Sequence, residues 1–114
     1  MRYLLLICND KNAAPMTATE AQSLTEGHRK FQDELQAAGK LLGGERLRPE
    51  ADATRVRNRS GQRHVMDGPF AETKEALGGF YLIDCEDRKE AVEWAGKMPL
   101  REGGAVDIRE IWPI

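Results

Sequence analysis

The 114 residues contain only two cysteines, Cys8 and Cys85. That is too few for a small disulfide scaffold. No Cys-x-x-Cys pair occurs, and no Cys/His spacing suits zinc. Each cysteine sits in or at the end of an apolar run, so both are read as reduced, mostly buried thiols. Long hydrophobic runs are missing as well. The run from Tyr3 to Cys8 is too short for a signal-peptide core and is followed at once by Asn9, Asp10 and Lys11. No stretch approaches the length of a membrane-spanning helix. A cytoplasmic protein without membrane contact is expected. Positive charge is not in excess: 17 Lys and Arg stand against 19 Asp and Glu, for a net charge of -2. A nucleic-acid partner is therefore not expected, since binding a polyanion draws on local positive charge. Two histidines, His28 and His64, are too few and too scattered for a metal site. Phosphate loops, GxGxxG and GxSxG motifs are absent, and no cofactor is expected.

What is present suits one soluble domain spanning residues 1 to 114. Apolar residues make up 40% and charged residues 32%, which fits a single core under a highly charged surface. Residues 2 to 8 read as a strand, apolar on both faces after Arg2 and so central in a sheet. Thr17-Ala-Thr-Glu20 is a capping box, and the helix it opens is expected to run to about Ala38, with Gly39 as its stop. Leu24, His28, Phe31, Leu35 and Ala38 recur at helical spacing and form its expected buried stripe. Leu41 to Leu47 reads as a second strand. Residues 53 to 66 read as a hairpin turned by Ser60-Gly61, with Arg55, Arg57 and Arg59 on one face and Arg63 returning beside them. Residues 67 to 75 read as a loop, because Pro69 cannot continue a strand. Leu77 to Asp84 is again apolar or small on both faces and belongs in the sheet centre. Asp87 caps a second helix with Ala91, Val92, Ala95 and Met98 inward and Pro99 at its close. Ala105 to Trp112 is the last strand.

Without the hairpin the order is βαββαβ, the ferredoxin-like pattern, in which the first and third strands lie in the middle. The two continuously apolar runs are those two strands. Helices then cover one face of the sheet. The other exposes apolar side chains among Leu4, Leu6, Phe80 and Leu82, which calls for a partner, most economically a two-fold dimer.

The string Asp67-Gly-Pro-Phe-Ala-Glu-Thr-Lys-Glu75, followed by Leu77-Gly-Gly-Phe-Tyr-Leu-Ile-Asp84, resembles the signature of the YCII-related family, in its DGPF branch. Arg2-Tyr-Leu-Leu-Leu-Ile7, Gly43-Gly-Glu45, Ala91-Val-Glu-Trp-Ala95 and Val106-Asp-Ile-Arg109 match too, so the resemblance covers essentially the whole chain. It implies a ferredoxin-like α+β fold and a homodimeric α+β barrel. It implies no known reaction: members are mostly uncharacterised, and an enzyme role has been suggested for the wider family from a His/Asp pair in a pocket. Some DGPF members occur beside or fused to sigma factors.

His28 occupies a stripe position where Leu would be the ordinary choice. A core histidine satisfied by one hydrogen bond is the plain account. The resemblance adds an acid–base reading, because the wider family sets a His on this helix against an Asp. Asp67 is the expected partner, at a strand end where it is otherwise a turn former. Pro69, Phe70, Glu72 and Lys74, with Tyr81 from the neighbouring strand, form the candidate ligand-binding set. The ordinary alternative is a solvated loop anchored by Phe70. Arg55, Arg57 and Arg59 suit an anion or an acidic partner, or simply a solvated face. Three functions follow: a protein that binds an unknown small molecule, with acid–base chemistry at His28 and Asp67; a regulatory module linked to a sigma factor; or a structural dimer.

Overall fold

The computed structural model describes all residues from Met1 to Ile114. Its centre is a pair of antiparallel strands, β1 (Arg2–Asp10) and β5 (Glu75–Asp84). Residues of a strand alternate between faces, so Tyr3 and Leu5 of β1 share one face with Tyr81 and Ile83 of β5. All four are buried. The edge strands are β2 (Leu41–Arg46), paired with β5, and β6 (Ala105–Glu110), paired with β1. The resulting order, β2-β5-β1-β6, is antiparallel throughout and compatible with a ferredoxin-like α+β fold. Both continuously apolar runs hold central positions, as expected. Both central strands are also longer than their apolar runs. β1 continues through Asn9 and Asp10, and β5 starts at Glu75, because these polar ends pair with each other beyond a bulge at Ile7/Cys8. The expected loop accordingly loses its last residue to β5.

Helix α1 (Ala18–Ala37) opens with the expected capping box. The Glu20 amide donates to Thr17 Oγ1 at 3.1 Å, and the Thr17 amide donates to Glu20 Oε1 at 3.2 Å. Gly39 takes a φ of 70°, the left-handed stop that glycine tolerates best. Phe31 and Leu35 are buried, and Leu24 and His28 partly so. Ala38 is exposed, against expectation, because it is the cap residue and lies past the last helical position. Helix α2 (Arg88–Ala95) begins at Asp87, whose carboxylate accepts from the Glu90 amide at 2.9 Å. Its inward residues are Ala91, Trp94 and Ala95, and Met98 joins the core after the helix has ended at Gly96. Val92, expected in the stripe, is 49% exposed. Trp94 holds the inward position instead, edge-on to Phe31 at 6.3 Å between ring centres.

Between β2 and β5 the chain makes a single 3₁₀ turn at Glu50–Asp52 and then a separate two-stranded ribbon, β3 (Thr54–Arg59) and β4 (Gln62–Asp67). Ser60 and Gly61 have φ of 50° and 80°, as a two-residue hairpin turn requires. The register opposes Arg57 to His64 and Asn58 to Arg63. Directly opposed residues share a face, so Arg63 lies on the side away from Arg55, Arg57 and Arg59. Its expected place beside them is corrected by the register of the tight turn.

Both helices cover the Tyr3–Leu5 face of the sheet. The molecule is only 18 Å thin along its shortest axis, and only 11 residues are buried. Leu4, Leu6, Phe80 and Leu82 lie on the other face and are partly exposed. No helix is long and apolar enough to cross a membrane.

Leu35 has no exposed surface, so Leu35→Ala is expected to cost about 2–5 kcal/mol in urea unfolding. Val92→Ala is expected to stay within about 0.5 kcal/mol, since its side chain faces water.

Candidate functional site

His28 reaches into the layer between α1 and the sheet, where its Nδ1 lies 2.8 Å from the Tyr81 hydroxyl. The two rings stack at 5.9 Å with 21° between their planes. Gln32, one turn further along α1, donates to the same hydroxyl oxygen at 3.2 Å. Gln32 fills one lone pair of the phenol oxygen, which can still donate its O–H to His28 Nδ1 or accept a ring N–H from it, as the imidazole tautomer sets. Burial pushes the His28 pKa down, while a hydrogen bond to the backbone of Pro99 acts the other way. Burial likewise raises the Tyr81 pKa, with the Gln32 hydrogen bond opposing it. The pair is thus a neutral imidazole beside a neutral phenol at pH 7. Pro99 also borders a groove of about 490 Å3 beside the start of α1, lined among others by Ser23, Leu24, Leu100 and Arg101.

A second polar cluster forms around the loop between β4 and β5. Gly68 opens it with a cis bond to Pro69, and its amide donates to the Ala53 carbonyl at 2.7 Å. A Cβ at Gly68 would lie 2.2 Å from the Glu50 carbonyl oxygen, so only glycine fits there. Phe70 is buried, and its ring carries the Arg55 guanidinium 3.8 Å from its centre. Lys11 Nζ pairs with Glu50 at 2.5 Å and donates to the Phe70 carbonyl at 2.7 Å and to the Thr73 hydroxyl. Glu50 also accepts from the Phe70 amide at 3.2 Å. These contacts, Lys11 foremost, hold the Glu50 carboxyl below its usual range. Glu72 pairs with Arg55, and its carboxyl is lowered first by its own backbone N–H and then by Arg55. A second groove, of about 470 Å3, lies here, lined among others by Leu47, Glu50, Arg55, Phe70 and Leu77.

The YCII-related domain family matches residues 1 to 114. An uncharacterized protein of Rhizobium meliloti (strain 1021) is 43% identical over 101 residues, covering 83% of this chain and 77% of the relative. This chain belongs to the YCII-related family. Neither finding names a reaction.

Within this YCII-related chain, the residues singled out in the sequence separate into three places. His28 and Tyr81 meet. Pro69, Phe70 and Glu72 belong to the loop cluster, and Lys74 contributes its carbonyl, which accepts from the Lys11 amide at 3.1 Å. Asp67, at the end of β4, accepts from the Thr54 hydroxyl across the ribbon at 3.3 Å. His28 and Asp67 are not joined by a hydrogen bond or an ion pair. Tyr81, expected beside the loop, faces α1 instead, because strand alternation turns it to the helix-covered side. Gln32, Lys11, Glu50 and Thr73 were not anticipated. Gln32 had a readable signal, its spacing of four residues from His28 on one helix. Lys11 had none, since the carbonyl it meets is 59 residues away. No group of three or more His, Cys, Asp or Glu side chains is placed to hold a metal ion. Both cysteines are free; Cys85 is buried, which pushes its thiol up to about 11, and Cys8 is partly exposed.

The His28 shift makes stability depend on pH. With its folded pKa below the unfolded value of about 6.5, the unfolded chain takes up the proton first in acid. Its contribution is complete above pH about 6.5 and is lost as pH falls through that value toward the folded pKa. Urea titrations between pH 8 and pH 5, on the order of the range set by that pKa, are expected to show this slope in the wild type and a flatter one in His28→Gln. Lys11→Met is expected to speed amide hydrogen exchange at Phe70 and Thr73, whose N–H groups bond within the cluster, and to leave Leu5 unchanged.

Proposed function

We propose that this chain is a small-molecule-binding protein with acid–base capacity at His28, working as a two-fold homodimer of the α+β barrel kind. The observation that carries the reading is the 2.8 Å hydrogen bond between His28 and Tyr81. An imidazole kept neutral at pH 7 can take up a proton, and Tyr81 and Gln32 fix its orientation. Tyr81 thus takes the orienting role that the sequence reading gave to Asp67. Pro99 links the ring to the groove beside α1, whose volume suits a small ligand.

The uncovered apolar face supports the dimer. Leu4, Leu6, Phe80 and Leu82 lie side by side on the two central strands, and a second copy laid sheet to sheet would remove them from water. The string from Asp67 to Glu75 supports placing the chain in the DGPF branch. Two free thiols suit a reducing compartment such as the cytoplasm.

Small polar and aromatic fragments, followed by NMR, are expected to shift His28, Leu24 and Leu100 together, and to lose binding in His28→Gln while the fold persists. In Tyr81→Phe the His28 pKa is expected to move without loss of the fold. Binding unaltered in His28→Gln would show that the ligand site lies elsewhere. Sedimentation should give a dimer for the wild type and a monomer for Leu6→Glu. A monomeric wild type would remove the dimer from the reading and leave the His28 result to stand by itself.

A further inference from the structure

The sheet face that no helix covers is arranged in two rows. Directly opposed residues share a face, so the register sets Arg109, Leu4, Leu82 and Gly43 side by side across the four strands. Asp107, Leu6, Phe80 and Glu45 make the neighbouring row. At one edge, β6 thus gives an arginine to one row and an aspartate to the other. At the opposite edge, β2 gives a glycine and a glutamate. The remaining charged residues of this face, Arg2 opposite Asp84 and Asp10 opposite Glu75, stand at the strand ends.

Neither Asp107 nor Arg109 is matched within its own chain. Both are exposed, and neither takes part in an ion pair. The one hydrogen bond to either side chain is weak, from the Cys8 thiol to Asp107 Oδ2 at 3.8 Å. Opposite charges two residues apart on one strand, at the rim of an apolar face, suit a partner that presents the same two charges in reverse order. A second copy does so for one direction of the symmetry axis.

Two directions of a two-fold axis lay this face on itself with the strands aligned. An axis along the strands, between β1 and β5, turns each row back on itself. Leu4 then meets Leu82 and Leu6 meets Phe80, but Asp107 meets Glu45 and Arg109 meets only Gly43. Like charges set against each other work against an interface. An axis across the strands, between the two rows, lays one row on the other. Leu4 then meets Leu6, Leu82 meets Phe80, and Arg109 meets Asp107. Glu45 comes over Gly43, where a Cβ would find no atom within 4 Å, so its carboxylate has room to reach the rim. Facing sheets lie about 10 Å apart, a gap that an arginine and an aspartate reaching toward each other can span.

We propose that the second copy docks about this second axis, with β1 antiparallel to its counterpart, and that Arg109 of each copy pairs with Asp107 of the other at the β6 edge. This rests on the homodimer proposed above and adds its direction. The apolar quartet supplies the attraction. The two ion pairs choose between two arrangements that bury the same leucines and phenylalanine.

Sedimentation equilibrium measures the dimer dissociation constant in the wild type, Arg109→Asp, Asp107→Arg and the double variant. Each single reversal sets like charges together at two symmetry-related places and is expected to weaken the dimer about tenfold or more. The double variant is expected to return to the wild-type value. An equimolar mixture of the two single variants is expected to form a heterodimer tighter than either homodimer, because every charge then meets its opposite. That recovery also shows that both variants are folded. The axis along the strands gives the opposite sign, since the arginine of Asp107→Arg then faces Glu45. A tighter dimer in Asp107→Arg, or no change in either reversal, overturns this arrangement and leaves the homodimer standing. A wild type that stays monomeric overturns both and leaves the face to a different partner.

Discussion

The pairing of β1 with β5 is the constraint on which the other parts depend. It places Tyr3, Leu5, Tyr81 and Ile83 on one face, where α1 and α2 cover them. Tyr81 brings a hydroxyl into that layer, and a buried hydroxyl needs a partner. His28 and Gln32 meet the need from adjacent turns of α1. The histidine on an otherwise apolar stripe is thereby explained at the level of packing. Its position is set by the phenol beneath it, and its ionisation by the burial that the same packing imposes. The acid–base reading and the structural reading of His28 rest on one hydrogen bond, and the sheet register positions that bond.

The same pairing leaves the fold one-sided. Two helices cover one face of a four-stranded sheet, and the thin shape that results buries few residues completely. A chain of this size gains most of its hydrophobic stabilisation from a single face. The opposite face keeps leucines and a phenylalanine near water, and their removal from it is the driving force available for association.

The loop cluster is built on a different principle. Little apolar area is buried there beyond Phe70. The geometry depends on Lys11, which ties the end of β1 to the 3₁₀ turn and to the loop before β5. The Lys11 and Glu50 side chains are only 23% and 17% exposed, so solvent screens this pair less than it screens an ordinary surface pair. The pair acts together with the Phe70 and Thr73 hydrogen bonds, and its main effect is to fix where the loop sits. Arg55 then lies over Phe70, and Glu72 is drawn to the ribbon.

Wherever structure follows from local rules, the sequence was a sufficient guide. The capping box at Thr17, the Asp87 cap, the Ser60-Gly61 turn and the two apolar central strands all appear where periodicity and turn chemistry put them. The face on which the returning strand sets each residue was missed: Arg63, expected beside Arg55, Arg57 and Arg59, lies opposite Asn58 on the other side. Stripe membership was less secure at helix ends: Ala38 falls outside α1, and Trp94 displaces Val92 in a helix too short for its period to dominate. The family could be recognised from the string around Asp67, but the side chains within it could not be placed. Tyr81 was grouped with the loop residues, because its place on a central strand does not reveal which side chain its hydroxyl will meet across the helix layer. Only the tertiary structure decided that His28 meets Tyr81 while Asp67 meets Thr54, and that Lys11 closes the loop. The physical reason is range: caps and turns are set by neighbours within a few residues, whereas these contacts join side chains far apart in the chain, brought together only when the sheet forms.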